Sequence, residues 1–86
     1  LEKAQTARVE CNIVGFRAEQ AEHELARFLD DSILAGMESV RIIHGKGEGI
    51  LRQVTRQVLG HHRGVKSFRD GQADEGGQGA TIAELR

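Results

Sequence analysis

Residues 40–52 read Val-Arg-Ile-Ile-His-Gly-Lys-Gly-Glu-Gly-Ile-Leu-Arg, and this stretch decides the fold. Its β-branched first half, which ends at His44, is typical of a β-strand. Helical spacing then follows the glycines, at Ile50, Leu51, Val54, Val58 and Leu59. A strand that leads through a glycine-rich turn into a helix is a βα unit, and a return strand beside it requires a crossover connection.

The N-terminal part of the chain predicts a second βα unit. Val9, Cys11 and Ile13 alternate with polar residues, which is the pattern of a short strand with one buried face. From Ala18 onward the apolar residues recur every three or four positions, which predicts an amphipathic helix. Gly36 is expected to end that helix, because glycine readily adopts the left-handed conformation of a helix C-terminus.

The C-terminal part predicts two more strands. Gly60 is expected to stop the second helix. Residues 65–69 alternate as a strand, residues 70–79 form a glycine-rich loop, and residues 80–85 form the last strand. The order β-α-β-α-β-β predicts an α/β (α+β) two-layer sandwich, with a four-stranded mixed sheet, two helices and a possible hairpin between the last strands.

Length and composition bound the class of protein. Eighty-six residues allow one small domain, and 38% hydrophobic residues with 11 glycines are ordinary for a folded chain. We expect a linker or tail over residues 1–8, a domain over residues 9–86 and, because the chain begins at Leu1, an excised piece of a larger protein. No apolar run approaches the roughly 20 residues of a membrane span. The single Cys11 suits a reducing cytoplasm.

The net charge of −1 conceals an uneven distribution. Residues 1–39 carry −4, residues 40–69 carry +6 and residues 70–86 carry −3, and three of the four histidines lie in the positive block. Such a block predicts an anion-binding face, the alternative being a solvated surface whose cations pair with acids elsewhere in the fold.

The hexapeptide His-Gly-Lys-Gly-Glu-Gly at residues 44–49 is the candidate site for chemistry. Glycines at 45, 47 and 49 allow the backbone to approach an anion, and the first amides of the following helix have no intrahelical partner. Main-chain N–H groups and Lys46 are therefore expected to hold a phosphate. His44 is expected to face that phosphate with a pKa near neutrality, as general acid, general base or hydrogen-bond donor.

Other motif assignments fail on spacing. A nucleotide P-loop requires Ser or Thr after its lysine, whereas Gly47 follows Lys46, and G-x-G-x-G does not match the dinucleotide fingerprint. His61 and His62 lack the spacing of a zinc site and are expected to interact with a helix C-terminus.

Residues 40–52 resemble the central signature of small MutS-related (Smr) domains, an H-G-x-G turn that is often H-G-K-G-x-G-x-L-R. Residues 75–81, Glu-Gly-Gly-Gln-Gly-Ala-Thr, resemble the E-G-G-x-G-[VA]-T ending of the version at the C-terminus of bacterial MutS-II endonucleases. The resemblance extends from about Val9 to Leu85, nearly the whole chain.

The resemblance implies an endonuclease domain that nicks DNA or cleaves RNA, often with Mg²⁺ or Mn²⁺. It implies a bacterial cytoplasmic parent ATPase, with a possible homodimer through that parent, linked to DNA repair, suppression of homologous recombination and ribosome rescue. The implied partners are duplex or branched DNA and, as an alternative, structured RNA or the ribosome, and no membrane.

Position by position, His44, Gly45, Lys46 and Gly47 match the H-G-x-G turn, and Gly15 matches the glycine that ends the family's first motif, L-D-L-[RH]-G. The acid of that motif is Asn12 here, and its Arg or His is Val14. An amide cannot act as a general base, so this copy departs from the family at a catalytic position.

Three hypotheses follow: a nicking nuclease with His44 in proton transfer, a nucleic-acid-binding module that does not cleave, and an assembly domain in which the turn is structural. The first two use Gly45, Lys46, Gly47 and Gly49, extended by a basic face of Arg41, Arg52, Arg56 and Lys66. Pairing of Arg52 and Arg56 with an acid from another element is the equal alternative. Asp74 and Glu75 are weak candidates for metal ligands.

Overall fold

The computed structural model describes residues 9–86 and contains four strands and two α-helices. Along the chain these are β1 (Val9–Asn12), α1 (Ala18–Leu34), β2 (Ser39–Ile43), α2 (Ile50–His61), β3 (Val65–Asp70) and β4 (Ala80–Leu85). The order β-α-β-α-β-β is the predicted one. The linker predicted over residues 1–8 lies outside the described residues.

The sheet is mixed, as predicted, and its strand order is β1-β2-β4-β3. β1 and β2 are parallel, whereas β4 runs antiparallel to both β2 and β3. β3 and β4 are joined by a loop with two 3-10 turns, Ala73–Glu75 and Gly77–Gly79. β4 therefore lies between the two strands that α2 connects, so the crossover from β2 to β3 spans an inserted strand.

Both helices pack on one face of the sheet, which gives two layers. Leu25 and Leu29 of α1 are fully buried and belong to the same core as Val40 and Ile42 of β2 and Ala83 of β4. Close packing of this one core provides most of the apolar burial available to so short a chain. No helix within residues 9–86 has the length and apolar composition to cross a membrane.

One predicted helix end is confirmed and one is wrong. Gly36 follows the C-terminus of α1 with φ of 78°, in the left-handed region. Gly60 does not stop α2, which continues to His61. The ring of His61 donates from Nδ1 to the carbonyl oxygen of Gln57 at 2.8 Å, which supports the last turn and confirms the interaction expected there.

The pairing register brings three chain segments to one edge of the sheet. Asn12 at the end of β1 pairs with Ile43 at the end of β2, and Ile43 pairs with Ala80 at the start of β4. The turn at residues 44–49 therefore leaves the sheet between the first motif and the late glycine-rich loop.

Candidate anion-binding site

The turn at residues 44–49 depends on its glycines. Gly45, Gly47 and Gly49 have φ of 79°, 35° and 85°, in the region that L side chains rarely adopt. Lys46 and Glu48 between them have negative φ, because no residue other than glycine has a positive φ within residues 9–86. Alternating backbone conformation of this kind creates concavities lined by main-chain N–H groups.

The late glycine-rich loop holds the turn in place. The carbonyl oxygen of Gly79 accepts hydrogen bonds from the N–H of His44 at 3.0 Å and of Gly45 at 2.9 Å. Thr81, two residues further on, is fully buried and contacts the ring of His44. The two motifs that carry the resemblance are therefore one structural unit.

The imidazole of His44 lies inside the fold, with 4% of the residue exposed. Because a carbonyl oxygen only accepts, Nδ1 carries the proton and donates to Gly45 at 2.9 Å. Nε2 then accepts from the hydroxyl of Thr81 at 2.9 Å. Burial lowers the pKa of His44 below its ordinary value, against the raising effect of the Gly45 hydrogen bond. The ring that was expected to face a phosphate thus has both nitrogens engaged.

Three amides of the turn have no partner within residues 9–86. The N–H groups of Gly45 and Gly49, which were expected to contribute to the anion site, donate instead to the carbonyl oxygens of Gly79 and Lys46. The N–H groups of residues 46–48 make no hydrogen bond among the described residues. Gly49 is the N-cap of α2, with no side-chain cap and no acidic residue in the first turn. The positive end of the helix dipole is therefore left open beside these amides.

The turn forms the shared wall of two recesses. The polar recess, about 340 Å³, is lined by residues 46–49 of the turn, among them Lys46 and Glu48, together with Arg52 and Gln78. The apolar recess, about 310 Å³, is lined by the whole turn together with Val14, Gly15, Ile50, Leu51 and Arg52. His44 lies in the wall of the apolar recess.

Arg52 and Arg56 are paired with an acid from another element. Nη2 of Arg52 contacts both carboxylate oxygens of Asp70 at 2.9 and 2.8 Å, and Nη2 of Arg56 contacts one of them at 3.0 Å. These hydrogen bonds lower the pKa of Asp70, that to Arg52 most strongly. Arg56 also lies over the ring of Phe68, 5.6 Å from its centroid. Asp70 was predicted as the first residue of the late loop and is instead the last residue of β3. No motif surrounds it, so no sequence pattern indicated its role.

The predicted basic face is not continuous. Arg41 alternates with Val40 and Ile42, which face the helices, so its side chain is on the opposite face of the sheet from α2. There it pairs with Glu10 at 2.9 Å. Lys66 follows Val65, which pairs with Leu85, at the end of the sheet away from the turn. Neither side chain therefore extends the surface formed by Lys46 and Arg52.

The residues of the first motif lie beside the glycine turn. The Oδ1 atom of Asn12 accepts the N–H of Val14 at 3.0 Å, which closes a local turn after β1. Val14 is 54% exposed and lies against Gly45, where a Cβ would be 3.5 Å from its Cγ2. The substituted acid position thus shapes the backbone beside the glycine turn.

The acids near the site do not form a metal centre. Glu75 receives both Nη atoms of Arg69 and the N–H of Gln72, and Asp74 beside it is exposed. Asp70 is held by two arginines, and residues 9–86 contain no group of three or more His, Cys, Asp or Glu placed to hold a metal ion. The described residues therefore offer no set of three such side-chain ligands for the divalent ion that the resemblance implied.

Fold and site define a two-layer α+β domain with a glycine-rich strand–turn–helix corner, and comparison with known proteins agrees with this class. The model of the Smr domain family matches residues 11–86. The chain belongs to the Smr domain family.

Solved structures and relatives support the assignment. The Smr domain of Thermus thermophilus MutS2 has a TM-score of 0.88 and 36% identity over 91% of this chain and 98% of that one. YdaL, a stand-alone small MutS-related protein from Escherichia coli, has a TM-score of 0.87 and 25% identity over 91% of this chain and 64% of that one. A Geobacillus kaustophilus protein named Endonuclease MutS2 is 54% identical over 91% of this chain. The chain spans 10% of that relative's length.

Removal of the Thr81 hydroxyl should destabilise the domain. Thr81→Val keeps the shape of the side chain but leaves the buried Nε2 of His44 without a donor, so the free energy of unfolding should fall by about 1–3 kcal/mol. Urea denaturation monitored by circular dichroism measures it. Thr55→Val is the matched control: Thr55 is equally buried, but its hydroxyl only adds a second bond to the carbonyl of Leu51, so the change should stay within about 0.5 kcal/mol. Equal effects of the two substitutions would contradict the assigned role of Thr81.

Stability should also fall on mild acidification. The pKa of His44 is lowered in the folded state, so on acidification the unfolded chain takes up a proton at this position before the folded chain does. The free energy of unfolding therefore decreases as the pH falls below about 6.5. The contribution is complete above that pH and is lost toward the lower pKa of the folded state. Unfolding of the natural chain and of His44→Gln, compared between about pH 7.5 and about pH 5.5, should show a smaller pH dependence for the variant. Parallel curves would show that another group titrates.

Proposed function

We propose that this domain binds the phosphodiester backbone of nucleic acid at the glycine turn and serves as the nicking module of a larger MutS2-like protein. The observation that carries the proposal is the convergence, in the polar recess, of three unpartnered amides, an open helix N-terminus and the exposed side chain of Lys46. Main-chain donors at a helix N-terminus and a mobile lysine are what a phosphate requires.

Arg52 contributes orientation as well as charge. Its guanidinium lines both recesses and is fixed by two hydrogen bonds to Asp70, so little conformational entropy remains to be lost when a phosphate arrives. Arg56 shares the same carboxylate and adds a second cation beside it. Of the predicted binding residues, Lys46 and Arg52 with the turn amides therefore form the proposed contact, and Arg56 supports it.

Cleavage is the second part of the proposal, and the naming of the relatives as endonucleases supports it. His44 is the group proposed for proton transfer, and it lies in the wall of the apolar recess, which shares the glycine turn with the polar recess. With Nε2 on Thr81, the ring becomes available as a base only after that hydroxyl turns away. No protein-bound metal takes part in this scheme.

A binding module without cleavage is the alternative, and specific observations favour it. Asn12 stands where the family has an acid, and its side-chain oxygen is used by the N–H of Val14. The two functions share the phosphate site and differ only in whether His44 and the position of Asn12 complete the chemistry.

The activity of the whole protein belongs to the same proposal. Because the chain spans 10% of the Geobacillus kaustophilus relative's length, a parent ATPase, its homodimer and a role in suppression of recombination, DNA repair or ribosome rescue are proposed for the whole protein. Structured RNA is the alternative partner proposed for this domain. The bacterial sources of the relatives and the buried free thiol of Cys11, whose pKa is raised by burial, support a bacterial cytoplasm.

Binding should depend on Lys46 and on salt. Fluorescence anisotropy with a labelled DNA duplex should show weaker binding by Lys46→Ala at every ionic strength. The slope of log K against log salt should decrease by about 0.9, because the variant neutralises one phosphate fewer. Lys66→Ala removes an equal charge at the other end of the sheet and should leave the slope nearly unchanged. If the two variants weaken binding equally, the site is not at the turn.

Nicking should depend on the substituted acid position. Asn12→Asp keeps the oxygen that accepts the N–H of Val14 and adds a carboxylate, so relaxation of a supercoiled plasmid should accelerate. His44→Gln retains a side-chain donor for Gly45 but removes proton transfer, so nicking should fall to background while binding persists. Reactions with Mg²⁺, Mn²⁺ or a chelator test the implied metals. Binding without nicking by both the natural chain and Asn12→Asp would establish the non-cleaving alternative.

A further inference from the structure

The apolar recess beside the proposed phosphate site is lined by exposed hydrophobic side chains. Four large hydrophobic side chains are exposed within residues 9–86, and two of them, Val14 and Ile50, line this recess with exposures of 54% and 57%. Leu51 contributes further apolar surface at partial burial. Exposed apolar side chains gathered at a concave site indicate a ligand with an apolar face.

The two recesses adjoin along the turn and differ in chemistry. The charged side chains of Lys46, Glu48 and Arg52 line both recesses. Gln78 adds an amide to the polar recess alone. Val14, Ile50 and Leu51 add aliphatic surface to the apolar recess alone. A nucleotide likewise has a charged part, its phosphate, and a part with apolar faces, its base. The apolar recess, at about 310 Å³, is near the lower limit of small-molecule sites and suits one base.

We propose that the apolar recess is a base subsite, which receives an unpaired nucleobase of DNA from the nucleotide whose phosphate lies on the glycine turn. This inference rests on the proposed phosphate binding and deepens it by naming the substrate class. A paired base is stacked between its neighbours and hides its faces, whereas an unpaired base leaves the stack at little cost. The domain therefore favours duplex DNA that contains a bulged nucleotide over a continuous duplex.

The contact is aliphatic rather than aromatic. Phe16, Phe28 and Phe68 are partly buried against the core, so no phenylalanine ring within residues 9–86 is fully exposed as a stacking platform, and none of the three lines the apolar recess. Valine and isoleucine contact base faces and the thymine methyl group by dispersion and burial, as apolar wedges do in other DNA-binding proteins.

Three labelled DNA hairpins test the proposal by anisotropy: fully paired, with one bulged thymine, and with one bulged abasic residue. The natural chain should bind the thymine bulge about tenfold more tightly than the other two. The abasic bulge shares the flexible backbone but has no base, so equal binding of the two bulges would show that backbone distortion is recognised and would overturn the base subsite.

Substitutions test whether the preference for the thymine bulge arises at the rim of the apolar recess. Val14→Thr combined with Ile50→Thr keeps the branched shape but makes the rim polar, and should bring the thymine-bulge preference close to one while binding of the paired hairpin is retained. Leu34→Thr, at a side chain 86% exposed at the end of α1, is the matched control and should leave the preference intact.

Lys46→Ala separates this inference from the proposed function. It should weaken binding of all three hairpins by the same factor and leave their ratio unchanged. If it weakens none of them, the phosphate site itself is wrong. If it weakens all of them while the natural chain shows no thymine preference, or the rim variant keeps one, only the base subsite is wrong.

Discussion

The carbonyl oxygen of Gly79 and the hydroxyl of Thr81 fix the glycine turn at residues 44–49, and the shape of the candidate site depends on that turn. The oxygen accepts two backbone N–H groups of the turn, and the hydroxyl donates to the ring of His44. These bonds fix the direction in which the chain leaves β2 and enters α2. Because the turn has three glycines with positive φ, it has no side-chain packing of its own to define its shape. The late loop supplies that definition, and both recesses follow from it.

Local sequence patterns predict the elements well, because each element is amphipathic with a clear period. Apolar positions at helical spacing place α1 and α2, and Gly36 ends α1 where expected. The position of β4 between β2 and β3 follows from packing between distant segments, which no local period records. Gly60 shows the limit of the local rule: its cost within a helix is only about 1 kcal/mol, and the Gln57–His61 bond continues the helix past it.

The sequence predicts the backbone turn of the candidate site, but it predicts only some of the contacts that the side chains make there. The glycine spacing indicates the turn directly, whereas the hydrogen bonds that occupy His44 depend on Thr81, 37 residues away. Charge along the chain groups Arg41 with Arg52, but strand alternation puts Arg41 on the other face of the sheet. The carboxylate of Asp70 forms ion pairs with both Arg52 and Arg56. The positive block of the sequence therefore becomes a small electropositive corner around Lys46 rather than a broad basic surface.

The insertion of β4 also has a consequence for how the chain folds during synthesis. β4 bonds to both β2 and β3, so the parallel β1–β2 pair is the one strand pair of the sheet that can form before residues 79–85 begin to emerge from the ribosome. Until then, the edges of β2 and β3 that will receive β4 remain open, and the turn lacks Gly79 and Thr81. The nascent domain thus acquires its tertiary structure and the shape of its glycine turn together, once β4 has emerged.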